Sequence, residues 1–342
     1  MNITIKDIAK KANVSIGTVD RVLHNRGEVA KRTREKIMTI IKELEYTPDV
    51  LAQSLASNRN SKKFAVLIPD SSGGVNYWKL PLIGMKQALI ELNHFGVKAD
   101  FYFFELTNEK SFSTQFDKII KNKPDGLLLS PFFRNEAISL IQKWDHTGIP
   151  YVLIDSGLSN QKNISYIGQN SYQSGVVAGK LIDYGLSGND EIIIVSITDQ
   201  RDNNNHISRR VEGFISYFNN RNINIIEIPF KATDELNKRL SSLVKNNVKG
   251  IFVPNSRAYK VARFIESKKI KDIKLLGYDI TDDNIYYLKK DIISFLIGQR
   301  PEEQGYKGIM SLFNHVVMKK EIQNNQYIPI DIVMKENIDY YK

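Results

Sequence analysis

Apolar positions in the first 45 residues recur at helical spacing. Ile5, Ile8, Ala9 and Ala12 fall at i, i+3, i+4 and i+7 and line one face of a short helix. Thr4 stands at the N-cap, and Asp7 three residues on gives a capping-box-like start that favours the helix dipole. Asn13-Val14 breaks the pattern, Ser15 caps a second helix, and Val19, Val22 and Leu23 form its inner face. After a turn at Asn25-Arg26-Gly27, Ile37, Ile40, Ile41 and Leu44 predict a third helix from about Lys31 to Leu44. The first two helices form a helix-turn-helix, whose second helix is the one that enters a DNA major groove. Pro48 begins a further short helix through Leu55, too short to be stable in isolation, and Ser57 to Ser61 reads as a polar linker.

From Phe64 the texture changes to short apolar runs separated by helical stretches. Strands are predicted at Phe64–Ile68, Ala99–Glu105, Gly126–Ser130, Tyr151–Asp155, Glu191–Ile197, Ile223–Ile228, Gly250–Val253, Lys274–Tyr278 and Ser294–Ile297. Helices between them include Leu82–Asn93, Ser111–Lys121, Ser171–Tyr184 and Ile207–Asn219. Such alternation implies parallel sheets covered on both faces by helices. The fold class expected is a small all-α helix-turn-helix head followed by a two-lobed α/β core. Residues 1–46 form the head and 47–61 the hinge helix and linker. Residues 62–342 form the core, with lobe 1 at about 62–168 plus part of 301–325, and lobe 2 at about 169–298 plus the tail.

Charge sharpens this division. The 342 residues carry a net charge of +10. Residues 1–63 hold thirteen Lys or Arg against seven Asp or Glu, a net of +6, leaving +4 for the other 279. A basic head on a nearly neutral body suggests a polyanion-binding module joined to something else. There is no cysteine, which excludes disulfides, thiol nucleophiles and cysteine metal sites. The histidines at 24, 94, 146, 206 and 315 have no metal-ligand spacing, and the common phosphate-loop, dinucleotide, zinc-protease and serine-hydrolase motifs are missing. Neither enzyme activity nor a cofactor or metal is expected. No leader or membrane-length apolar run is visible, so the expected location is the cytoplasm, with the nucleoid.

Residues 4–55 closely resemble the DNA-binding head of the lac repressor family. The matching residues are Thr4 to Ala9, Val14-Ser15, Thr18-Val19, Arg21 to Leu23, Thr33 to Ile37, Tyr46 to Pro48 and Ala52 to Leu55. The resemblance implies a homodimer on dyad-symmetric operator DNA, with Thr4, Ser15, Ile16, Gly17, Thr18, Asp20, Arg21, Asn25, Thr33 and Arg34 at the interface. It also implies that the hinge helix orders on DNA and wedges Leu55 into the minor groove, with Ala52 facing the groove. Four positions depart from the family. Ala30 replaces a capping Ser, Ile16-Gly17 replace base-reading side chains, and Asp20 replaces a small hydroxyl residue. Arg21 remains suited to guanine, and Ile16 to a thymine methyl.

The body resembles the periplasmic sugar-binding-protein fold, most closely at Arg210 to Phe214, Phe252 to Asn255, Gly277 to Asp279 and Gly298 to Gly305. Ligands of open parallel sheets sit beyond the carboxyl ends of strands. Asp155, Asn255, Asp279 and Gln299 follow strands there, and Arg210 begins a helix. Tyr77, Trp78 and Phe230 supply aromatic walls for a sugar-type effector. Gln169-Asn170 stands where the family often has Asp-Asn, which weighs against simple unmodified sugars. The expected function is a DNA-binding regulator, a repressor, whose effector shifts the population between two lobe arrangements. The competing readings are a solute-binding protein and a co-repressor-type regulator sensing a non-sugar metabolite. Operator DNA, a small effector and a second copy of the chain are the expected partners, and no membrane.

Overall fold

The computed structural model describes residues 3–23, 27, 29–44, 61–71, 76–198, 205–218, 223–245 and 247–341, which divide into one unit within residues 1–60 and another over 61–342. Asn25, Ala52 and Leu55, and with them the expected hinge helix, lie outside the described residues.

Among the described residues the first unit has three helices, α1 (Ile5–Ala12), α2 (Ile16–Leu23) and α3 (Lys31–Glu43). Ile8, Ala9, Ala12, Val19, Val22, Ile37 and Ile40 form its core, with Leu23, Ile41 and Leu44 packed on the edge. The Asp7 carboxylate accepts from the Thr4 backbone N–H at 2.9 Å and from its hydroxyl at 2.6 Å. Those bonds hold its carboxyl below the usual carboxylate range. Asn13 closes α1 in the left-handed region, φ 56°, which Asn tolerates. The Thr18 N–H then donates to Ser15 Oγ at 3.1 Å and starts α2.

Among the described residues the second unit holds two six-stranded sheets. In chain order the strands are β1 (Lys62–Pro69), β2 (Val97–Phe104), β3 (Gly126–Leu129), β4 (Tyr151–Ile154), β5 (Ser165–Gly168), β6 (Glu191–Ile197), β7 (Ile223–Ile228), β8 (Val248–Phe252), β9 (Lys274–Tyr278), β10 (Phe295–Gly298), β11 (Asn325–Tyr327) and β12 (Asp331–Val333). One sheet runs β11-β5-β4-β3-β1-β2 and the other β12-β10-β9-β8-β6-β7. All pairs are parallel except β10 with β12. The lobes therefore share one doubly wound order, with strand ends of both sheets available to a single cleft. Strands β6, β7 and β9 begin and end where the apolar pattern placed them. Strands β5, β11 and β12 are additions; their segments are three or four residues long and carry Ser, Asn, Gln and Asp.

Helices α4 (Lys79–Glu91), α5 (Glu109–Asn122) and α6 (Arg134–Asp145) flank the first sheet. Helices α7 (Ser171–Asp183), α8 (Asn205–Tyr217), α9 (Thr233–Leu243), α10 (Ala258–Ser267) and α11 (Asp282–Lys289) flank the second. Helix α12 (Pro301–Val316) follows a lobe-2 strand but packs on α4 and on β3 and β4 of lobe 1. The chain thus crosses between lobes at 168–171, 298–301 and 327–331. The crossing of α7 and α8 is close enough to require glycine on both helices. A Cβ on Gly175 would stand 2.0 Å from the Arg210 carbonyl, and one on Gly213 2.0 Å from that of Tyr172. This contact between α7 and α8 fixes where Arg210 sits.

Candidate functional site

In the head, burial of Val19 and Val22 turns the opposite side of α2 outward. Ile16, Gly17 and Arg21 are exposed there, and Asp20 is half-buried. Ser15 and Thr18 hydroxyls lie 2.9 Å apart at the helix start. Thr33 and Arg34 occupy the first turn of α3, half-buried; Ala30 caps it without a side-chain bond. That exposed apolar and cationic face can meet thymine methyls, base acceptors and phosphates.

In the core, β4 and β9 end on equivalent residues. Asp155 and Asp279 follow them directly, with φ 67° and 68°, a conformation that Asp tolerates better than most L-residues. Their N–H groups donate to the carbonyls of Ile167 (3.1 Å) and Ile297 (3.0 Å), the equivalent positions of β5 and β10. Each lobe thereby offers one carboxyl group. The Tyr77 hydroxyl donates to Asp155 Oδ1 at 2.7 Å, and Gln299 Nε2 to Asp279 Oδ1 at 2.6 Å. Arg210, 2% exposed, donates to Gln299 Oε1 and, at 3.0 Å, to the Pro254 carbonyl. Its guanidinium stacks on the Tyr278 ring, 3.8 Å from the centroid, and its Nε has no partner. Tyr77, Asp155, Arg210, Asp279 and Gln299 therefore converge from both lobes.

The charges feel one another. Burial pushes Asp279 up to about 6 against the pull of Arg210 and the Gln299 amide, and Asp155 adds to the rise. Burial likewise raises Asp155, opposed by the Tyr77 hydroxyl and Arg210. Tyr77 is driven well above its ordinary range by burial first and the two carboxylates second. One buried and one half-buried carboxyl near one guanidinium leave acceptors that a hydroxyl-rich ligand satisfies, and an Arg donor that a ligand oxygen satisfies.

The other expected residues are placed elsewhere. Trp78 is 4% exposed inside the lobe-1 core, edge-on to Tyr77. Asn255 spends its side chain on the Ile197 carbonyl and the Arg257 N–H, shaping the loop after β8. Phe230 sits under Arg257 and Lys260, at 4.5 and 4.0 Å. Gln169 Nε2 donates to the carbonyls of Gly298 (2.7 Å) and Pro329 (2.9 Å), pinning the three crossovers together. Its amide hydrogens serve the hinge, so the Gln-for-Asp exchange carries less weight against simple sugars than the sequence alone assigned it.

Three residues outside the expected set belong here. Gln304 Oε1 accepts from the Asp155 N–H (3.0 Å) while its Nε2 donates to the Gln299 carbonyl (2.9 Å), tying the two lobes' loops together. Tyr166 places its hydroxyl 3.2 Å from the Asp155 carbonyl and 3.1 Å from that of Gln169. His206, one turn before Arg210 on α8, is held well below the ordinary imidazole range by burial and then by Arg210. Gln304 lies within the Gly298–Gly305 match and was legible from it; Tyr166 and His206 had no sequence signal.

A helix-turn-helix joined to two twin α/β lobes closing on a polar cleft defines a DNA-binding regulator with a ligand-binding body. The comparisons give the particular family. Residues 4–49 match the bacterial regulatory proteins of the lacI family, and residues 64–321 match the periplasmic binding protein domain. The chain belongs to the lacI family of regulators with a periplasmic-binding-protein-like domain. It is 24% identical to the sucrose operon repressor of Pediococcus pentosaceus, over 81% of this chain and 82% of that one. It is 29% identical to the transcriptional regulator RegA of Clostridium saccharobutylicum, over 96% of each. A solved putative LacI transcriptional regulator from Bacteroides fragilis superposes with a TM-score of 0.75 and 28% identity, covering 83% of this chain and all of that one. The protein regulates transcription by binding DNA and is not an enzyme. Among the described residues no helix is long and apolar enough to cross a membrane.

Proposed function

We propose that the protein is a homodimeric repressor that binds a pseudo-palindromic operator and is released by a carbohydrate-type effector. Residues 1–46 bind DNA, 47–61 couple the head to the body, and 62–342 hold the effector and the dimer contacts. Ser15, Ile16, Gly17, Thr18, Asp20 and Arg21 face the major groove; Thr4, Asn25, Thr33 and Arg34 serve backbone contacts; Ala52 and Leu55 serve the minor groove. The cytoplasm, where operator DNA is found, is the place of action. The observation that carries the effector reading is the convergence of Tyr77, Asp155, Arg210, Asp279 and Gln299 on one cleft from both lobes. An effector touching both lobes has unequal contacts in open and closed arrangements, which is what a population shift needs. Linkage makes the coupling reciprocal: effector that weakens operator binding is itself bound more weakly by the operator complex.

The test combines a gel shift on the chain's own upstream DNA with calorimetry on wild type and Arg210→Ala. Loss of charge-assisted hydrogen bonds worth about 1.5–3 kcal/mol each lowers effector affinity by roughly 10–150-fold while the operator complex persists. Unchanged effector affinity in Arg210→Ala refutes the cleft assignment.

A further inference from the structure

Beside the cleft runs a groove of about 420 Å³. Lobe 1 contributes the loop after β4 and strand β11; lobe 2 contributes the first turns of α7 and α8, and Gln169 lies at the crossover. Its described lining is mostly neutral and polar. Among the described residues the lining is mainly amides, hydroxyls and phenols with one imidazole and Leu158, and it holds no carboxylate and one cation, Arg209, which is paired with Glu212 and stacked 5.0 Å over Tyr172. Two lining residues carry buried polar atoms that lack a partner, Gln169 Oε1 and His206 Nδ1. With the imidazole proton on Nε2 both are acceptors, and a buried acceptor left without a donor is unfavourable. Tyr327, 53% exposed, stands edge-on to Tyr166 and offers a flat face at the rim.

The groove and the cleft share walls. The Tyr166 hydroxyl that lines the groove touches the Asp155 carbonyl. His206 and Arg210 are i and i+4 on one face of α8. We propose that the groove is a second saccharide subsite, so that the effector is an uncharged saccharide of at least two rings, one ring in the cleft and the next in the groove. This rests on the carbohydrate reading above. Hydroxyl donors of the second ring satisfy Gln169 and His206, and the phenol faces pack on its apolar side. The second ring lies against both lobes, so it adds contacts that depend on the lobe angle.

The experiment is calorimetry and thermal shift on the full chain with glucose, galactose, fructose and their 6-phosphates, against sucrose, maltose, lactose and cellobiose. Wild type should bind one disaccharide at least tenfold more tightly than any monosaccharide. Tyr327→Ala and, separately, Asn325→Ala, both at exposed positions on β11, should cut that ratio about tenfold. A monosaccharide or a sugar phosphate that binds as tightly as every disaccharide overturns the subsite and leaves the carbohydrate reading standing. A ratio that survives in both variants also overturns it. No binding by any sugar overturns the carbohydrate reading, and the subsite with it.

Discussion

Asp279→Asn should make the unliganded protein more stable and its effector binding weaker. The exchange is close to isosteric, and the Gln299 amide can still donate to the retained Oδ1, which it now reaches at 2.6 Å. What changes is the buried charge. In the folded state the Asp279 carboxyl is pushed up to about 6, from 3.8 in the unfolded chain. The sign follows from linkage. A carboxyl whose folded value is raised binds its proton more tightly when folded, so stability falls as pH rises from about 4 to 6, and the full penalty is present at pH 7. At about 1.4 kcal/mol per unit the gap corresponds to roughly 3 kcal/mol. Asn carries no charge and escapes that penalty. The melting temperature of the core at pH 7 should rise by several degrees, since about 1 kcal/mol moves a domain of this size by roughly 2–4 °C. Wild type should gain on the variant as pH falls from 6 to 4. Effector affinity should move the other way, by roughly tenfold or more, because a charge-assisted acceptor becomes a neutral one. Thermal melts of both proteins at half-unit pH steps, with calorimetry at pH 7, decide the matter. A variant less stable than wild type at pH 7, with a parallel pH profile, would refute the buried-charge argument; equal effector affinity would remove Asp279 from the site.

Further outcomes are open to direct measurement. Operator affinity should fall by roughly 10³–10⁵ between 50 and 200 mM salt if the basic head makes about 6–10 phosphate contacts, and a flat salt titration refutes that footprint. Leu55→Ala should lower specific binding and DNA bending more than nonspecific binding, read by gel shift on operator and random DNA; equal losses on both would remove the wedge. Gly213→Ala places a Cβ 2.0 Å from the Tyr172 carbonyl and should cost about 1–3 kcal/mol or more in denaturant melts, with effector binding impaired through Arg210. Retained stability and effector affinity would show that the α7–α8 crossing yields without consequence.

Local pattern was enough for the elements that depend on local physics. The head follows from apolar residues at helical spacing around Ile8, Val19 and Ile37, one set in each helix, with Thr4 and Ser15 at the helix starts, because capping and amphipathic burial act within a few residues. Strands such as β6, β8 and β9 are apolar on both faces because helices cover both, so they announce themselves in the chain. Arg210, Asp279 and Gln299 were legible because each stands where a strand or loop delivers it to the cleft, and each lies in a segment that resembles its family. Partnership was not legible. Nothing local says that Trp78 turns into the core while its neighbour Tyr77 reaches Asp155 across 78 residues of chain. Nothing local says that Asn255 serves its own loop, or that Gln304 reaches Asp155 across 149 residues and ties it to Gln299. β11 and β12 are three residues each, with too few apolar positions to signal a strand, and they exist because a sheet edge in each lobe supplies the missing hydrogen bonds. Periodicity encodes which side of an element is buried; which distant group meets a side chain is decided only when the two lobes close the chain on itself.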